Sequence, residues 1–345
     1  MRAAILHEPG DLRIEDVDEQ EPGPGEILVD VRAAVTCGTD LKSYRRGHPK
    51  LFPELPARFG HEFAGVVAAV GDGVERFRPG QRVVAANTAP CYACWACTIG
   101  RLSLCENLAF LNGAFAEQVV VPAPIVARNT YALPDALDFA AAAPLEPLAC
   151  VVHGIAESGI ALGDTVVVHG AGPIGLMFVR LATLRGATAI AVDVRAGRLR
   201  SAERAGAAET LDLSAIDGRA DREAAIRRLT PGGRGADVGV EAAGLPEVWE
   251  QTVRTLRPGA TAVLFGGPPS GTTFSVDTVA MHYGEYTLTG VFHHTPQYVR
   301  TAVDLLASGA VDGSSLITET RPLDALVDSL EDMAEGRGSK YALVP

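Results

Sequence analysis

Four cysteines, Cys91, Cys94, Cys97 and Cys105, stand within fifteen residues in the spacing Cys-x2-Cys-x2-Cys-x7-Cys. Thiolates so arranged can surround one tetrahedral ion in a closed site with no position left for water, which predicts a structural zinc in a lobe of about residues 88–108. Without a metal, the same loop has few apolar residues to fold it. The total of six cysteines is even, but this crowding favours metal thiolates over disulfides. A nucleic-acid zinc ribbon is the competing reading. The flanking segments AANTAP and ACTIGRLSLCENL contain one arginine and no lysine, a poor surface for phosphates.

A second constellation is dispersed. Cys37 lies in VTCGTD, and His61 and Glu62 lie in FGHEFAG. Any one of them alone reads as structural. Together they offer a thiolate, an imidazole and a carboxylate, a set that suits zinc with a fourth position open to a substrate oxygen. Glu146, in PLEPLAC, is a further carboxylate able to reach such an ion directly or through water.

The third signal is Gly170, Gly172 and Gly175, with Pro173 and Ile174 between the last two, in HGAGPIG. The motif falls between a strand, TVVVH, and a helix, LMFVRLATL. In that context the first glycine permits a tight turn, the second lets backbone approach a pyrophosphate, and the third brings helix and strand together. The next strand ends at Asp193, about 20 residues on, where a carboxylate binds ribose hydroxyls and repels a 2'-phosphate. NAD is the expected cofactor. Arg195 and Arg198 follow closely and leave NADP as the lesser alternative.

The elements that must position these residues fall into two patterns. Up to about residue 125 the chain reads as short strands broken by Pro and Gly, with EILVDVRAAV, FAGVVAAV and QRVVAA as examples. From about residue 140 onward helix and strand alternate, the signature of an α/β doubly wound parallel sheet. The expected domains are 1–140 with 291–345, the C-terminal stretch packing back on the first lobe, and 141–290 for the cofactor.

Net charge is −12 with a pI near 5.2, which argues against nucleic acid or an anionic membrane as partner and for a small-molecule substrate. No apolar run reaches the ~18 residues of a spanning helix, and MRAAILHEPG has neither a basic nor an apolar leader region, so the expectation is a cytoplasmic protein. Basic residues are nearly all arginine, the lysines being Lys42, Lys50 and Lys340.

CGTD, GHEFAG, the four-cysteine lobe, EPL, GAGPIG and the Asp193 to Arg198 spacing occur in the order of a known family. The chain resembles, essentially end to end, the zinc-containing medium-chain dehydrogenases, in particular their polyol (sorbitol) and L-threonine dehydrogenase branch. That resemblance implies a GroES-like β-rich catalytic domain, a Rossmann domain, an active site in the cleft between them, and a homodimer or homotetramer. It implies Cys37, His61 and Glu62 as catalytic zinc ligands, with Glu146 beside the metal. Asp40 would orient the ligand histidine, fixing its tautomer. Thr39 would pass on the substrate proton. Ile174, Asp193 and Arg198 would contact cofactor, and backbone at Leu264 to Gly266 and Gly290 to Phe292 would hold the nicotinamide carboxamide. Gly38 agrees with the polyol branch.

One position departs from that pattern. Many members carry a histidine three residues after the threonine or serine, completing the proton path, and here that position is Lys42. Another proton carrier, a substrate or phosphate contact, and a solvated side chain are its three readings. Cys150 reads as a buried structural thiol, His153 and His169 as core histidines, and Phe292, His293 and His294 as candidate cleft residues.

The expected reaction is hydride transfer between NAD and a secondary alcohol (a polyol, cyclitol, aminocyclitol or amino alcohol), giving the ketone. Tyr44, Arg46 and His48 near the expected entrance fit a polar substrate. A 2-amino-3-hydroxy acid dehydrogenase of the L-threonine type is the enzymatic alternative. An NAD(H)-sensing zinc scaffold is the non-enzymatic one, and a zinc-free quinone or enoyl reductase on the same fold is disfavoured by the filled ligand positions.

Overall fold

Apolar and polar residues alternate along EILVDVRAAV, and this segment forms the nine-residue strand Ile27–Val35, with Ile27, Val29 and Val31 buried. In the computed structural model, which describes residues 1–49 and 51–345, it is the centre of a seven-stranded sheet. Lys50 lies outside the described residues. Ile27–Val35 is long enough to take two partners on one edge. Gln118–Val121 pairs with its first half, and Tyr341–Val344 with Ala34 and Val35. Phe63–Val70 lies antiparallel along its other edge, with register shifts at Leu28/Val29 and Val31/Ala33 that bend the strand.

Two compact units result, Met1–Ala149 with His294–Pro345, and Cys150–His293. The first unit's core gathers Leu6, Ile27, Phe59, Phe63, Phe115 and Ile125. Phe59, Phe63 and Phe115 are fully buried, each stabilising the fold by about 2–3 kcal/mol through area removed from water. The helices Gly38–Arg46 and Ala123–Asn129 interrupt what reads in sequence as a lobe of strands.

The second unit is a parallel six-stranded sheet. Its order is Glu209–Asp212, Thr188–Asp193, Thr165–His169, Ala236–Glu241, Leu256–Leu264 and Thr287–Gly290. Counted along the chain this is 3-2-1-4-5-6, the doubly wound order whose direction reverses between the first and fourth strands. Strands buried on both faces read as unbroken apolar runs, as VVV in Thr165–His169 and AIAV in Thr188–Asp193 do.

The sequence expectation about apolar runs needs correction. The helical stretch Phe139–Ser158 is 20 residues long and apolar enough to cross a membrane by length and composition. It is 72% buried over its most apolar window, as the core helix of a folded domain is. Pro144, Glu146 and Pro147 break the run in sequence but not the burial of the helix.

Candidate metal centres and dinucleotide site

Cys37 stands two residues beyond the end of the strand at Val35, and it caps the helix Gly38–Arg46. Its sulfur accepts the Thr39 N–H at 3.2 Å, and Asp40 Oδ2 accepts the Cys37 N–H at 2.8 Å, a reciprocal capping box. His61 and Glu62 immediately precede the neighbouring strand, and Val35 N–H bonds to Glu62 O at 2.9 Å. Pairing of Ala34 with Phe63 therefore brings the two short motifs to the same end of the sheet. Gly60, at φ +95°, makes the approach possible, since a Cβ there would stand 2.4 Å from the Phe115 ring.

The ligand atoms of Cys37, His61 and Glu62 all lie within 4.8 Å of one another. Cys37 Sγ is 3.3 Å and Glu62 Oε1 4.0 Å from His61 Nε2. On the far side of the ring, His61 Nδ1 meets Asp40 Oδ1 at 3.1 Å, so Nδ1 donates and Nε2 faces the other two groups. Asp40 thus serves the helix cap with one oxygen and the histidine with the other. Glu62 Oε1 is buried and has no hydrogen-bond partner among the described residues. A carboxylate oxygen abandoned in this way is costly unless a cation completes it.

The electrostatics agree. Burial pushes the Cys37 thiol up to about 11, and Asp40 adds to the shift. Burial raises Glu62 to about 7 against the pull of Lys340. Burial lowers His61, but the charges of Cys37 and Asp40 outweigh it and hold the imidazole well above its usual value. Acidic groups outnumber cations here, and a divalent ion would supply the missing charge and displace the protons. The donor set fits zinc.

Glu146 lies in the first turn of Leu145–Ser158 and is outside this trio, though its charge helps to raise Glu62. Thr39 is half-buried in the first turn of the capped helix, and Lys42 is exposed one turn later.

Cys91, Cys94, Cys97 and Cys105 form the other cluster, their four sulfurs within 4.8 Å of one another. Sulfur separations of 3.5 Å for Cys91–Cys105 and 3.8 Å for Cys94–Cys105 are too long for a disulfide. They match the edge of about 3.8 Å that a ZnS4 tetrahedron has with bonds of ~2.3 Å. Backbone N–H groups already point at the sulfurs. Those of Ala93 and Cys94 lower Cys91 to about 6, whereas burial raises Cys97 to about 12.

In the second unit, Gly170 takes φ +101° directly after the strand Thr165–His169, and Gly172 caps the helix Pro173–Leu184, with Pro173 at its first position. Asp193 Oδ2 accepts the Ala171 N–H at 2.7 Å, so the acidic residue is tied to the glycine turn across the sheet. Its Oδ1 accepts the Arg195 N–H at 2.9 Å, and Arg198 comes within 3.8 Å. Leu264 pairs with Gly290, which places both, with Gly266 and exposed Phe292 just beyond, at the same end of the sheet as the glycine turn.

His169 and His153 are core histidines as expected. His169 bonds Gln251 and Thr255 through its two nitrogens, and His153 Nδ1 donates to His293 O at 2.8 Å. His294 is buried against Asn87 and Thr88.

Two residues escaped sequence reasoning. Glu241, at the end of Ala236–Glu241, accepts N–H bonds from Ala243, Gly244 and Gly266 and binds two loops together. Lys340 Nζ reaches Glu62 Oε2 at 2.5 Å. The one available signal for it was its rarity, a lysine in a chain whose basic residues are nearly all arginine.

Comparison with known proteins relates the chain to one family along most of its length. The alcohol dehydrogenase GroES-like domain profile matches residues 23–135, and the zinc-binding dehydrogenase profile matches residues 173–308. Sorbitol dehydrogenase of Bacillus subtilis is 31% identical, the alignment covering 96% of this chain and 93% of that protein. D-xylulose reductase A of Aspergillus oryzae is 32% identical over 91% of this chain and 88% of its own length. A zinc-binding dehydrogenase from Sinorhizobium meliloti, solved bound to NADP, superposes with a TM-score of 0.91 at 35% identity, covering 100% of this chain and 99% of that one. The 2R,3R-butanediol dehydrogenase of Bacillus subtilis gives 0.87 at 28% identity, with the same coverage.

The chain belongs to the zinc-containing medium-chain dehydrogenases, in the polyol dehydrogenase group. It is an oxidoreductase acting on CH–OH groups of small molecules, with a GroES-like domain and a Rossmann domain.

Proposed function

We propose that this protein oxidises a secondary alcohol of the polyol type to the ketone with NAD, using one catalytic zinc held by Cys37, His61 and Glu62 and one structural zinc held by the four-cysteine lobe. The observation that carries the reading is the convergence of three buried ligand atoms, one of them an oxygen with no other partner. Zinc bound there supplies Lewis acidity that makes a substrate hydroxyl easier to deprotonate near neutral pH. Asp40 keeps His61 in the tautomer that faces the ligand trio. Thr39, on the helix that Cys37 caps, is assigned to receive the hydroxyl proton, and Glu146 to lend negative charge beside the site. Lys42 stands one turn beyond Thr39 and is the candidate next carrier.

NAD accepts the hydride when bound. Gly170, Gly172, Pro173, Ile174 and Gly175 are assigned to its pyrophosphate, Asp193 and Arg198 to its ribose, and backbone at Leu264, Gly266, Gly290 and Phe292 to its carboxamide. A carboxylate at the end of the second strand disfavours a 2'-phosphate. NADP is the second reading, supported by exposed Arg195 beside Asp193 and by the NADP in the Sinorhizobium relative. The domains are assigned as catalytic and cofactor-binding in that order, and the enzyme as a cytoplasmic homodimer or homotetramer.

The deciding experiment is a spectrophotometric panel of sugar alcohols, cyclitols, amino alcohols, 2,3-diols and L-threonine, each with NAD and NADP. A polyol or diol giving the highest kcat/KM with NAD supports the proposal. Turnover confined to L-threonine moves it to the alternative substrate class, and a higher kcat/KM with NADP overturns the cofactor assignment.

A further inference from the structure

Lys340 is almost wholly buried, with 3% of its side chain exposed, and the Glu62 side chain it meets is 0% exposed. Its ammonium donates to Glu62 Oε2 at 2.5 Å and to Thr36 O at 2.8 Å. A buried ammonium is expensive unless it is paired, so its place must be held by the fold. Thr36 and Tyr341 exchange two hydrogen bonds of 3.0 Å, one from each backbone N–H. Thr318 N–H holds Lys340 O at 2.7 Å. The segment that carries Cys37 and the segment that carries Lys340 are thereby locked together, and Val35 N–H ties the first of them to Glu62 O.

The two oxygens of Glu62 are consequently unequal. Oε2 is occupied by the lysine, while Oε1, buried and without a hydrogen bond, lies 4.0 Å from His61 Nε2. We propose that Lys340 is a positioning residue that competes with the catalytic metal for the Glu62 carboxylate, holding Oε2 so that only Oε1 is offered to the ion beside Cys37 and His61. The inference rests on the metal reading above. It assigns the lysine a function that helix caps and sheet pairing do not need, namely limiting how strongly Glu62 grips the ion.

Charge gives the direction of the effect. A fixed cation next to the site repels a dication and shares its carboxylate, so its removal strengthens metal binding. A lysine with a merely structural role predicts the opposite, because loosening the ligand shell weakens metal binding.

The test compares wild type with Lys340→Met. Chelator competition gives the dissociation constant of the zinc whose removal abolishes turnover, and the electronic spectrum of the cobalt-substituted protein reports its ligand set. Lys340→Met should bind that ion more tightly, by about tenfold or more, turn over more slowly, and show an altered cobalt spectrum. In a Glu62→Gln background the same substitution should give a clearly smaller gain, since the contested carboxylate is gone and only the direct repulsion remains. Unchanged or weaker binding in Lys340→Met, or an equal gain in the Glu62→Gln background, overturns the proposal. Should Lys340→Met not fold, two other comparisons decide. Lys340→Arg, which keeps the charge, should stay near wild-type affinity, and Lys340→Gln, polar but uncharged, should bind the ion more tightly; a departure in either overturns it. A wild-type protein with no turnover-linked zinc would instead refute the metal reading itself.

Discussion

Replacing Gly175 with alanine should damage cofactor binding while leaving the metal sites intact. A Cβ at this position would stand 1.8 Å from the carbonyl oxygen of Gly170, 2.9 Å from its carbon and 3.4 Å from Val168 Cγ1. Carbon–oxygen contacts settle near 3.3 Å, so helix and turn must separate by about 1.5 Å. The helix cannot slide freely, because Met177, Phe178 and Val179 are within 1% of complete burial. Overpacking of this kind costs about 1–3 kcal/mol of stability. A shift of ~1 Å at a binding element costs up to about 100-fold in function. Isothermal titration with NAD, metal analysis and thermal unfolding should show cofactor affinity lower by about 10- to 100-fold, a lowered Tm and unchanged zinc content. Wild-type NAD affinity in Gly175→Ala would refute the assignment of this turn to the pyrophosphate.

Three further outcomes are expected. Burial holds His169 at about 3, below its unfolded value of about 6.5, so the unfolded chain binds the proton first. The neutral ring's contribution is complete above pH 6.5 and is lost as pH falls towards 3, a loss of about 2 kcal/mol by pH 5; denaturant titrations of wild type and His169→Gln should differ in this slope, and parallel curves would contradict it. Cys97→Ser should lose one zinc per chain and unfold at lower temperature, measured by metal analysis and calorimetry, and full zinc content would count against the lobe. Gly60→Ala puts a side chain 2.4 Å from the Phe115 ring at φ +95°, and should weaken both stability and the turnover-linked zinc. A fully metallated, wild-type-stable Gly60→Ala would show that this glycine does not place His61.

The site was legible in sequence wherever spacing carried the chemistry. Four cysteines in fifteen residues need no fold to be recognised, and the glycine turn announces itself between a strand and a helix. Cys37 and His61 lie 24 residues apart, so their residue types suggested a shared ion while their spacing could not. The structure supplies the cause of their meeting, the register that sets Ala34 against Phe63. Asp40 was expected to orient the histidine, but its second bond, to the Cys37 N–H, appears only once the helix is seen to begin there. Lys340 was invisible because its partner is 278 residues away. Glu241 was hidden for a similar reason, since its partners lie on two loops whose approach depends on strand order. Phe139–Ser158 shows the converse, a segment whose helical character is readable in sequence and whose burial appears only in the fold.

The most direct test of a catalytic zinc at Cys37, His61 and Glu62 is metal analysis and turnover of His61→Ala beside the wild type, with an alcohol substrate from the panel. Two zinc ions per wild-type chain, one in the variant, and no measurable NADH formation by the variant are the expected result. A His61→Ala protein that retains both ions, or that loses one and still turns over at the wild-type rate, would contradict it.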